Sequence, residues 1–435
     1  MCTHLQNNSH AHWIILIIVT IIHFKYFDEC CSFTFFSLII IVSIIQTGNY
    51  QERSLLMSKV AIIKCENYDC ETVYEKIKKG LALLGGLETF FEHSEKILLK
   101  PNLLASSIPD KSVTTHPAVF EAVVRLMKEN NFNIVYGDSP GFGKPERVAA
   151  NSGLKEVADR HGIEFANFKG GETADFPQGN FTKQFELSNA VRETDAILNL
   201  CKMKAHQLTR ITGAVKNSLG LVYGINKGAM HAKYPDAISF SKMLVDLNLL
   251  IKPRLHIMDG IMAMEGNGPR SGNPKKMNVI IMSGDPVALD ATFCRMVDLD
   301  PELIPTVYYG ESYGLGKWKE EDIEYLGDGL GGFISKDFDI KRGPVKKENI
   351  AAASIFRGMV LRKPFIEESK CIRCGVCVEA CPVQGKALEF KKGDRSNPPV
   401  YDYKKCIRCY CCQEMCPKEA IDVKTPLLGK WFLYK

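Results

Sequence analysis

Two cysteine-rich runs near the end of the chain have the residue types and spacing that hold metals. They are KCIRCGVCVEACP (370–382) and KCIRCYCCQEMCP (405–417), which are identical at nine of thirteen positions. Both read C-x2-C-x2-C-x3-C-P. The second run has five cysteines, whereas a tetrahedral site needs four thiolates. Because Cys411 aligns with Val376 of the first run, we predict that Cys411 is the spare one.

This spacing is typical of chains that hold two [4Fe–4S] clusters, in which the fourth Cys of each run ligates the other cluster. We therefore predict two [4Fe–4S] clusters as cofactors. The predicted ligands are Cys371, Cys374, Cys377 and Cys416 for the first cluster, and Cys406, Cys409, Cys412 and Cys381 for the second. Two structural zinc sites are the alternative, but zinc ribbons usually pair two CxxC units across a longer loop.

Strand-like and helix-like patterns alternate upstream of the cysteines, from residue 57 to about residue 345. Clear strand patterns are KVAIIKC (59–65), KILLKPN (96–102), IEFANF (163–168) and DAILNLCKMKAH (195–206). Helical patterns include CETVYEKIKKGLALLGG (70–86) and ERVAANSGLKEVADRHG (146–162). This alternation predicts an α/β fold, with a mostly parallel sheet and helices on both faces. After the cysteine runs, ALEF (387–390) and AIDV (420–423) predict short strands in a small α+β ferredoxin-like domain.

Polar residues collect where the predicted strands end, which is where ligands bind in sheets of this kind. Lys202, Lys204 and His206 recur at period two, so a strand points all three to one face. With Lys216, they form the cationic side of a predicted pocket. The chain then enters a helix near Gly213, and helix N-termini attract anions. The remaining candidates for binding an anion or substrate are Lys100, Asn102 and Asn217, together with an acidic side of Asp138, Asp259, Glu265 and Asp285.

A structural interpretation competes with that pocket, because charges that pair with one another also cluster. Asp-Gly and Asp-Ser-Pro-Gly are ordinary turn formers. The glycine-rich stretches GFG and GNG match neither the dinucleotide fingerprint nor the phosphate-binding loop. The sequence identifies no catalytic nucleophile.

Six motifs carry a resemblance to a known family. They are KPNLL, THPAVFEAVVRLM, GDSPG, KMKAHQLTRITGAVKNSLG, DGIMAMEGNGP and SGDPVALD. In this order they resemble domain-of-unknown-function family 362 over nearly all of residues 57–300. Members of that family often carry a C-terminal bacterial-type ferredoxin domain, which residues 364–426 resemble. The resemblance implies membership more strongly than function, because the family has no agreed activity.

The first 56 residues differ from the rest in composition. WIILIIVTII (13–22) and FTFFSLIIIVSII (33–45) are apolar, but each is shorter than the roughly 20 residues of a membrane-spanning helix. We interpret residues 1–56 as a gene-prediction artefact, with translation starting at Met57; the alternative is a membrane anchor through residues 13–45. We then expect an α/β domain over residues 57–345, a linker over 346–363, a two-cluster domain over 364–426 and a tail over 427–435.

Composition narrows the function. The net charge of +5 on 435 residues gives no sign of nucleic-acid binding. Nine of the sixteen cysteines lie in residues 371–416, which favours metal binding in a reducing cytoplasm, as in an anaerobe. The leading hypothesis is an iron–sulfur electron-transfer protein, a component of an oxidoreductase, with a redox protein or a small anionic substrate as partner. The alternatives are a non-redox regulatory protein with structural or sensing clusters, and a non-redox isomerase or hydrolase.

Overall fold

A computed structural model describes residues 57–345, apart from Phe142 and Ile225, and residues 361–427. The predicted N-terminal extension, almost all of the predicted linker and most of the predicted tail lie outside the described residues. From Ser58 onward the chain forms a single unit. In the described residues, we find no helix with the length and apolar character needed to span a membrane. The two apolar runs before residue 46 lie outside the described residues.

The larger part of this unit is built on one mixed sheet. Its strands are β1 (Ser58–Lys64), β2 (Lys96–Pro101), β3 (Asn133–Tyr136), β6 (Ala196–His206), β7 (Arg210–Thr212), β8 (Leu255–Glu265), β9 (Asn273–Ser283) and β10 (Ile323–Gly327), while β4 (Gly171–Asp175) and β5 (Gln184–Ser188) pair separately. The order across the sheet is β10-β1-β9-β8-β6-β2-β3, with β7 beside β6. Strand β9 runs antiparallel to both of its neighbours, and β7 runs antiparallel to β6. The other pairs are parallel, so the predicted fold class is confirmed.

Helices cover both faces of this sheet. They are α1 (Cys70–Leu83), α2 (Pro117–Glu129), α3 (Pro145–Asn151), α4 (Leu154–His161), α5 (Asn189–Arg192), α6 (Ala214–Asn217), α7 (Asn226–Lys233), α8 (Ala237–Ile251), α9 (Pro286–Met296) and α10 (Pro305–Ser312). In β1, Ala61 and Ile63 join the core formed with α1, α2 and α4, whereas Val60 and Ile62 join the core formed with α8, α9 and α10. Strand side chains alternate between faces, and burial on both faces explains the nearly continuous apolar strands.

Two local predictions are wrong. The helix predicted over residues 146–162 is divided into α3 and α4, because Gly153 has a φ of 78° that interrupts the helical backbone. The strand predicted over residues 163–168 forms only an isolated bridge between Phe165 and Tyr136. Its apolar side chains instead pack in the core beside β3.

The cysteine-rich part consists of small elements. Strand β11 (Lys363–Ile366) pairs antiparallel with β14 (Ile421–Lys424), and β12 (Leu388–Glu389) pairs antiparallel with β13 (Val400–Tyr401). Two short helices, α11 (Val376–Glu379) and α12 (Cys411–Met415), follow the first two cysteines of each run. The strands and helices of this part are only two to five residues long, so loops make up most of it.

Candidate metal centres and an adjoining polar pocket

The cysteines line two separate cavities. Cys371, Cys374, Cys377 and Cys416 line the first cavity. Cys381, Cys406, Cys409 and Cys412 line the second. Each cavity thus takes three cysteines from one run and the fourth from the other. This is the grouping that the spacing of the two runs predicts.

Hydrogen bonds to sulfur test whether these cavities fit an iron–sulfur cluster. The Ala387 N–H donates to Cys381 Sγ at 3.4 Å, and the Ala420 N–H donates to Cys416 Sγ at 3.3 Å. The Tyr401 hydroxyl donates to Cys412 Sγ at 3.3 Å. Such donors stabilise thiolate charge and tune cluster potentials. In the described residues, no three His, Cys, Asp or Glu side chains are arranged to hold a single metal ion. Four cysteines around a cavity are the donor set of a cubane cluster.

Cys411 lines neither cysteine cavity, although its thiol lies close enough to interact with that of Cys409. Cys411 lines a third cavity, which we call the interdomain pocket, of about 590 Å³. The pocket is lined on the α/β side by Asn102, Asp138, Lys204, Lys216, Asn217, Lys227 and His231, and on the cysteine-rich side by Glu379, Cys381, Cys411, Glu414 and Met415. The structure therefore brings five of the predicted strand-end residues to one pocket, beside the second set of cysteines.

Two of the predicted charges form a buried ion pair at the edge of this pocket. Lys100 Nζ lies 3.0 Å from Asp138 Oδ1, and the Leu103 N–H donates to Asp138 Oδ2 at 2.8 Å. Burial lowers the pKa of Lys100, and Asp138 opposes that change. The acidic wall of the pocket is thus largely neutralised by its own lysine.

A second buried pair lies outside the pocket. Lys202 Nζ is 2.7 Å from Asp259 Oδ2 and donates to the Tyr68 hydroxyl at 3.0 Å. The Tyr68 hydroxyl in turn donates to Asp259 Oδ1 at 2.8 Å, and its ring stacks on His116 at 3.5 Å between centroids. Because every member has a partner, the structural interpretation fits this pair.

Lys204 is fixed within the pocket wall. Its Nζ donates to Asn102 Oδ1 at 3.0 Å and to the Val113 carbonyl at 2.7 Å. Asn102 donates onward to Asn217 Oδ1 at 2.8 Å. Burial, and then the charge of Lys216, hold the pKa of Lys204 well below its usual value. Both acceptors of Lys204 are uncharged, and the charge of Glu414 only partly opposes the lowering of its pKa.

Lys216 is presented by the short helix α6. The Asp290 carboxylate accepts from the backbone N–H groups of Ala214 and Val215 at 2.6 and 3.2 Å. Gly213 lets that carboxylate approach, because a Cβ at this position would lie 2.0 Å from Asp290 Oδ1. The amides at this helix start are therefore already used, and the predicted attraction of an anion to this helix N-terminus is wrong.

Lys216 and His231 lack partners. Lys216 is 7% exposed, and it makes no hydrogen bond or ion pair with any residue that the structure describes. His231 is 4% exposed, stacks on Phe240 at 4.3 Å, and its buried Nδ1 has no hydrogen-bond partner among the described residues. Burial lowers the pKa of Lys216 and lowers the pKa of His231 to about 4. Buried polar groups without partners are costly, which points to a missing ligand.

His206 connects the sheet to the cysteine-rich part. Its Nδ1 accepts from the backbone N–H groups of Leu208 and Thr209 at 3.0 and 3.3 Å, so the proton of the neutral ring is on Nε2. Nε2 lies 3.0 Å from Glu414 Oε1. Burial acts to raise the pKa of Glu414, but His206, Lys216 and His231 outweigh it and lower the pKa to about 2.

Two family models match different parts of this chain. The family model for the domain of unknown function DUF362 matches residues 97–295, and the model for a 4Fe-4S dicluster domain matches residues 363–417. A thylakoid-associated protein of Synechocystis sp. is 34% identical over 261 residues, which are 60% of this chain and 81% of that protein. The chain belongs to the DUF362 family. It is an iron–sulfur protein whose C-terminal part is a ferredoxin-type domain that binds 4Fe–4S clusters.

A solved structure bears a slighter likeness to this DUF362 protein. The lactate racemase apoprotein from Thermoanaerobacterium thermosaccharolyticum is 12% identical, with a TM-score of 0.35. The match covers 55% of this chain and 57% of that chain. A likeness of this size does not bear on function.

Two predicted acidic residues of the DUF362 protein lie away from the pocket. Asp285 caps α9, where it accepts from the N–H groups of Val287 and Ala288 at 2.8 and 3.0 Å. It follows β9, and because β9 is antiparallel, its carboxyl end lies at the opposite edge of the sheet. Glu265 accepts from the Asp339 N–H at 2.9 Å and does not line the pocket. The predicted acidic side is therefore wrong for these two residues.

Four contributors to the pocket were not predicted: Lys227, His231, Glu414 and the supporting Asp290. Lys227 and His231 are four residues apart on α7, so they share one helix face. This spacing is a signal that the sequence contains. Lys227 donates to the carbonyls of Ser139 and Pro140, the latter at 3.3 Å, and burial lowers its pKa to about 7.

Proposed function

We propose that this DUF362 protein is an electron-transfer component of an oxidoreductase. Two [4Fe–4S] clusters, held by the two sets of four cysteines, would exchange electrons with an anionic ligand in the interdomain pocket. Each cluster supplies one-electron redox chemistry at low potential when bound. A separate redox protein would be the other electron donor or acceptor, and exposed Cys374 places the first set nearest to solvent.

The observation that carries the proposal is the shared wall of the pocket. Cys381, from the second set of cysteines, lines the same cavity as Lys204 and Lys216 of the α/β part. A ligand in the pocket would therefore touch a residue that ligates the second cluster. Electron transfer between them would need no further carrier.

The charges of the pocket support an anion as that ligand. Lys204, Lys216 and Lys227 line it, and within the described residues none of the three forms an ion pair. Asn102 and Asn217 add amide groups to the same wall. Burial lowers the pKa of each lysine. An anion would restore their charged state, because an opposite charge favours protonation of lysine.

This reasoning also gives a pH dependence. Binding an anion takes up protons at lysines whose pKa is lowered in the free protein, so affinity should fall as pH rises. The pKa of Lys227, at about 7, places part of that fall near neutrality. Calorimetry with inorganic phosphate between pH 6 and pH 9 would measure it, in buffers that differ in ionisation enthalpy. An affinity that rises with pH would contradict the assignment.

Potentiometric titration of the anaerobically purified protein tests electron transfer. Both clusters should reduce reversibly near or below about −400 mV, as low-potential clusters do. Phosphate should shift the signal of the second cluster, and Lys216→Gln should abolish the shift. Lys391→Gln, on an exposed lysine, is the matched control. Clusters that never reduce would instead support the structural or sensing alternative.

The cellular setting is also proposed. Nine of the sixteen cysteines lie in residues 371–416, and this clustering suits metal ligands in a reducing cytoplasm. The relative described as thylakoid-associated makes a membrane surface the alternative setting. Fractionation of cells that express the native protein would separate the two.

A further inference from the structure

Lys216 differs from the other lysines of the interdomain pocket in how it is held. Lys204 and Lys227 each donate to two carbonyl oxygens, whereas Lys216 has no hydrogen-bond or ion-pair partner among the described residues. Lys216 is nonetheless nine-tenths buried. Burial lowers the pKa of Lys216, although the charge of Glu414 opposes this change, so its neutral amine is more accessible than that of an exposed lysine.

A neutral lysine amine in a pocket is a nucleophile. Lysines become reactive when they are desolvated or when they lie next to another cation. Both conditions hold for Lys216, which is buried and repels Lys204 in the same pocket. Asp290 fixes the backbone of α6, so the position of the amine is set by the fold.

We propose that Lys216 forms an imine with a small carbonyl compound that carries a carboxylate. The proposal rests on the same pocket as the proposed function and names the class of its ligand. The amine nitrogen bonds to the carbonyl carbon, and the carbonyl oxygen leaves as water with the two amine protons. No oxidant or reductant is consumed in this step.

Other residues of the pocket can bind the carboxylate of such a compound and transfer a proton to its carbonyl oxygen. Lys204 and Lys227, which form no ion pair within the described residues, would receive the carboxylate. His231 presents a ring nitrogen without a partner among the described residues, so it can move a proton from the amine to the departing oxygen. Imine formation also makes the carbon more electrophilic, which suits a site beside an electron carrier.

Reductive trapping tests the proposal. The anaerobically purified holoprotein is incubated with glyoxylate and cyanoborohydride, digested, and analysed by mass spectrometry. The peptide with Lys216 should gain one carboxymethyl group. It should do so faster than the exposed Lys391 by about tenfold or more, because binding in the pocket raises the local aldehyde concentration.

The matched variants are Lys216→Gln, which should lose the pocket label, and Lys391→Gln, on an exposed lysine outside the pocket, which should keep the label on Lys216. The wild-type labelling pattern does not depend on whether either variant folds. Labelling spread over lysines in proportion to exposure would overturn the proposal. If phosphate still shifts the signal of the second cluster in that case, Lys216 is a simple anion ligand and the proposed function stands. If neither labelling nor the shift occurs, the pocket has neither role.

Discussion

The two cysteine runs share most of their sequence but lie in different surroundings. Arg373 and Arg408 occupy equivalent positions and have nearly the same left-handed backbone, with φ of 60° and 65°. Arg373 is exposed, whereas Arg408 is 3% exposed and lies 5.0 Å from the centre of the Tyr403 ring. Equal local sequences have therefore produced equal loops, but their surroundings have buried only one of the two arginines.

Residues that differ between the two runs show how the second run packs against the α/β part. Gly375 adopts a φ of 85°, and its counterpart Tyr410 adopts a φ of 64°, which is unfavourable for a tyrosine. Tyr410 packs into the core of the α/β part. Gln413, the counterpart of Val378, donates to the backbone and side-chain oxygens of Asn267 at 2.9 and 3.0 Å. The second run thus combines metal binding with attachment to the pocket.

Loss of one cysteine should have the largest effect. Cys381→Ala lies in the first run but removes a ligand of the second set, so we expect loss of the second cluster and about half of the iron. Iron analysis and electron paramagnetic resonance would measure this. Loss of the cluster associated with Cys371, Cys374 and Cys377 instead would show that each run holds its own cluster.

Removal of the cysteine-rich part tests how much its contacts contribute to the stability of the α/β part. A truncated protein of residues 57–350 should be soluble and unfold cooperatively, because both cores of the sheet are formed almost entirely by α/β residues. Its melting temperature should fall, since His206 and Asn267 lose their partners. Calorimetry would measure the transition, and a soluble protein without one would contradict the predicted division.

Exchange of equivalent residues tests the attachment at one position. Gln413→Val should destabilise the protein by about 1–3 kcal/mol, because the oxygens of Asn267 lose their buried donor. The reverse exchange, Val378→Gln, should destabilise the protein less, by about 1 kcal/mol or below, because Val378 is only partly buried against the core of the cysteine-rich part. Chemical denaturation of the holoprotein would compare them. Equal losses would show that the two runs are not distinguished by packing.

The two arginines should tune the clusters unequally. Burial raises the pKa of Cys406, and the charge of Arg408 opposes that rise. Arg408→Gln should therefore lower the potential of the second cluster, by an amount on the order of 1 kcal/mol or some tens of millivolts. Arg373→Gln should have a smaller effect, because solvent screens its charge. Redox titration would detect a reversed order.

Cys411→Val should have the smallest effect on metal content. It installs the residue that the first run has at this position, and Cys411 lines the interdomain pocket rather than a cysteine cavity. The iron complement should stay unchanged by metal analysis. If Cys411→Val lowers the iron content and Cys381→Ala does not, the alignment of the two runs that assigns the ligands is wrong.

Substitutions of the pocket lysines distinguish residues that stabilise the fold from residues that bind a ligand. Lys204→Ala should lower the melting temperature, because Lys204 is buried and donates to two oxygens that would lose their donor. Lys216 has no such role among the described residues, which makes it the better probe of binding.

The sequence by itself determined the features that depend on neighbouring residues. Short apolar runs predicted β1, β2 and β6, and the repeated spacing of cysteines predicted both groups of four. It also showed that Lys202, Lys204 and His206 share a face, because side chains alternate along any strand. These patterns are set by local backbone geometry, so they can be recognised without knowledge of the rest of the chain.

Only the tertiary structure decided which of these groups meet. Asp285 lies at the far edge because β9 runs antiparallel, a choice made by pairing with β1 and β8 rather than by its own residues. Asp138 and Asp259 are neutralised by lysines distant in sequence, whereas Lys216 is left without a partner among the described residues. Strand direction and charge pairing depend on contacts between remote segments, and such contacts have no periodic signature in a single sequence.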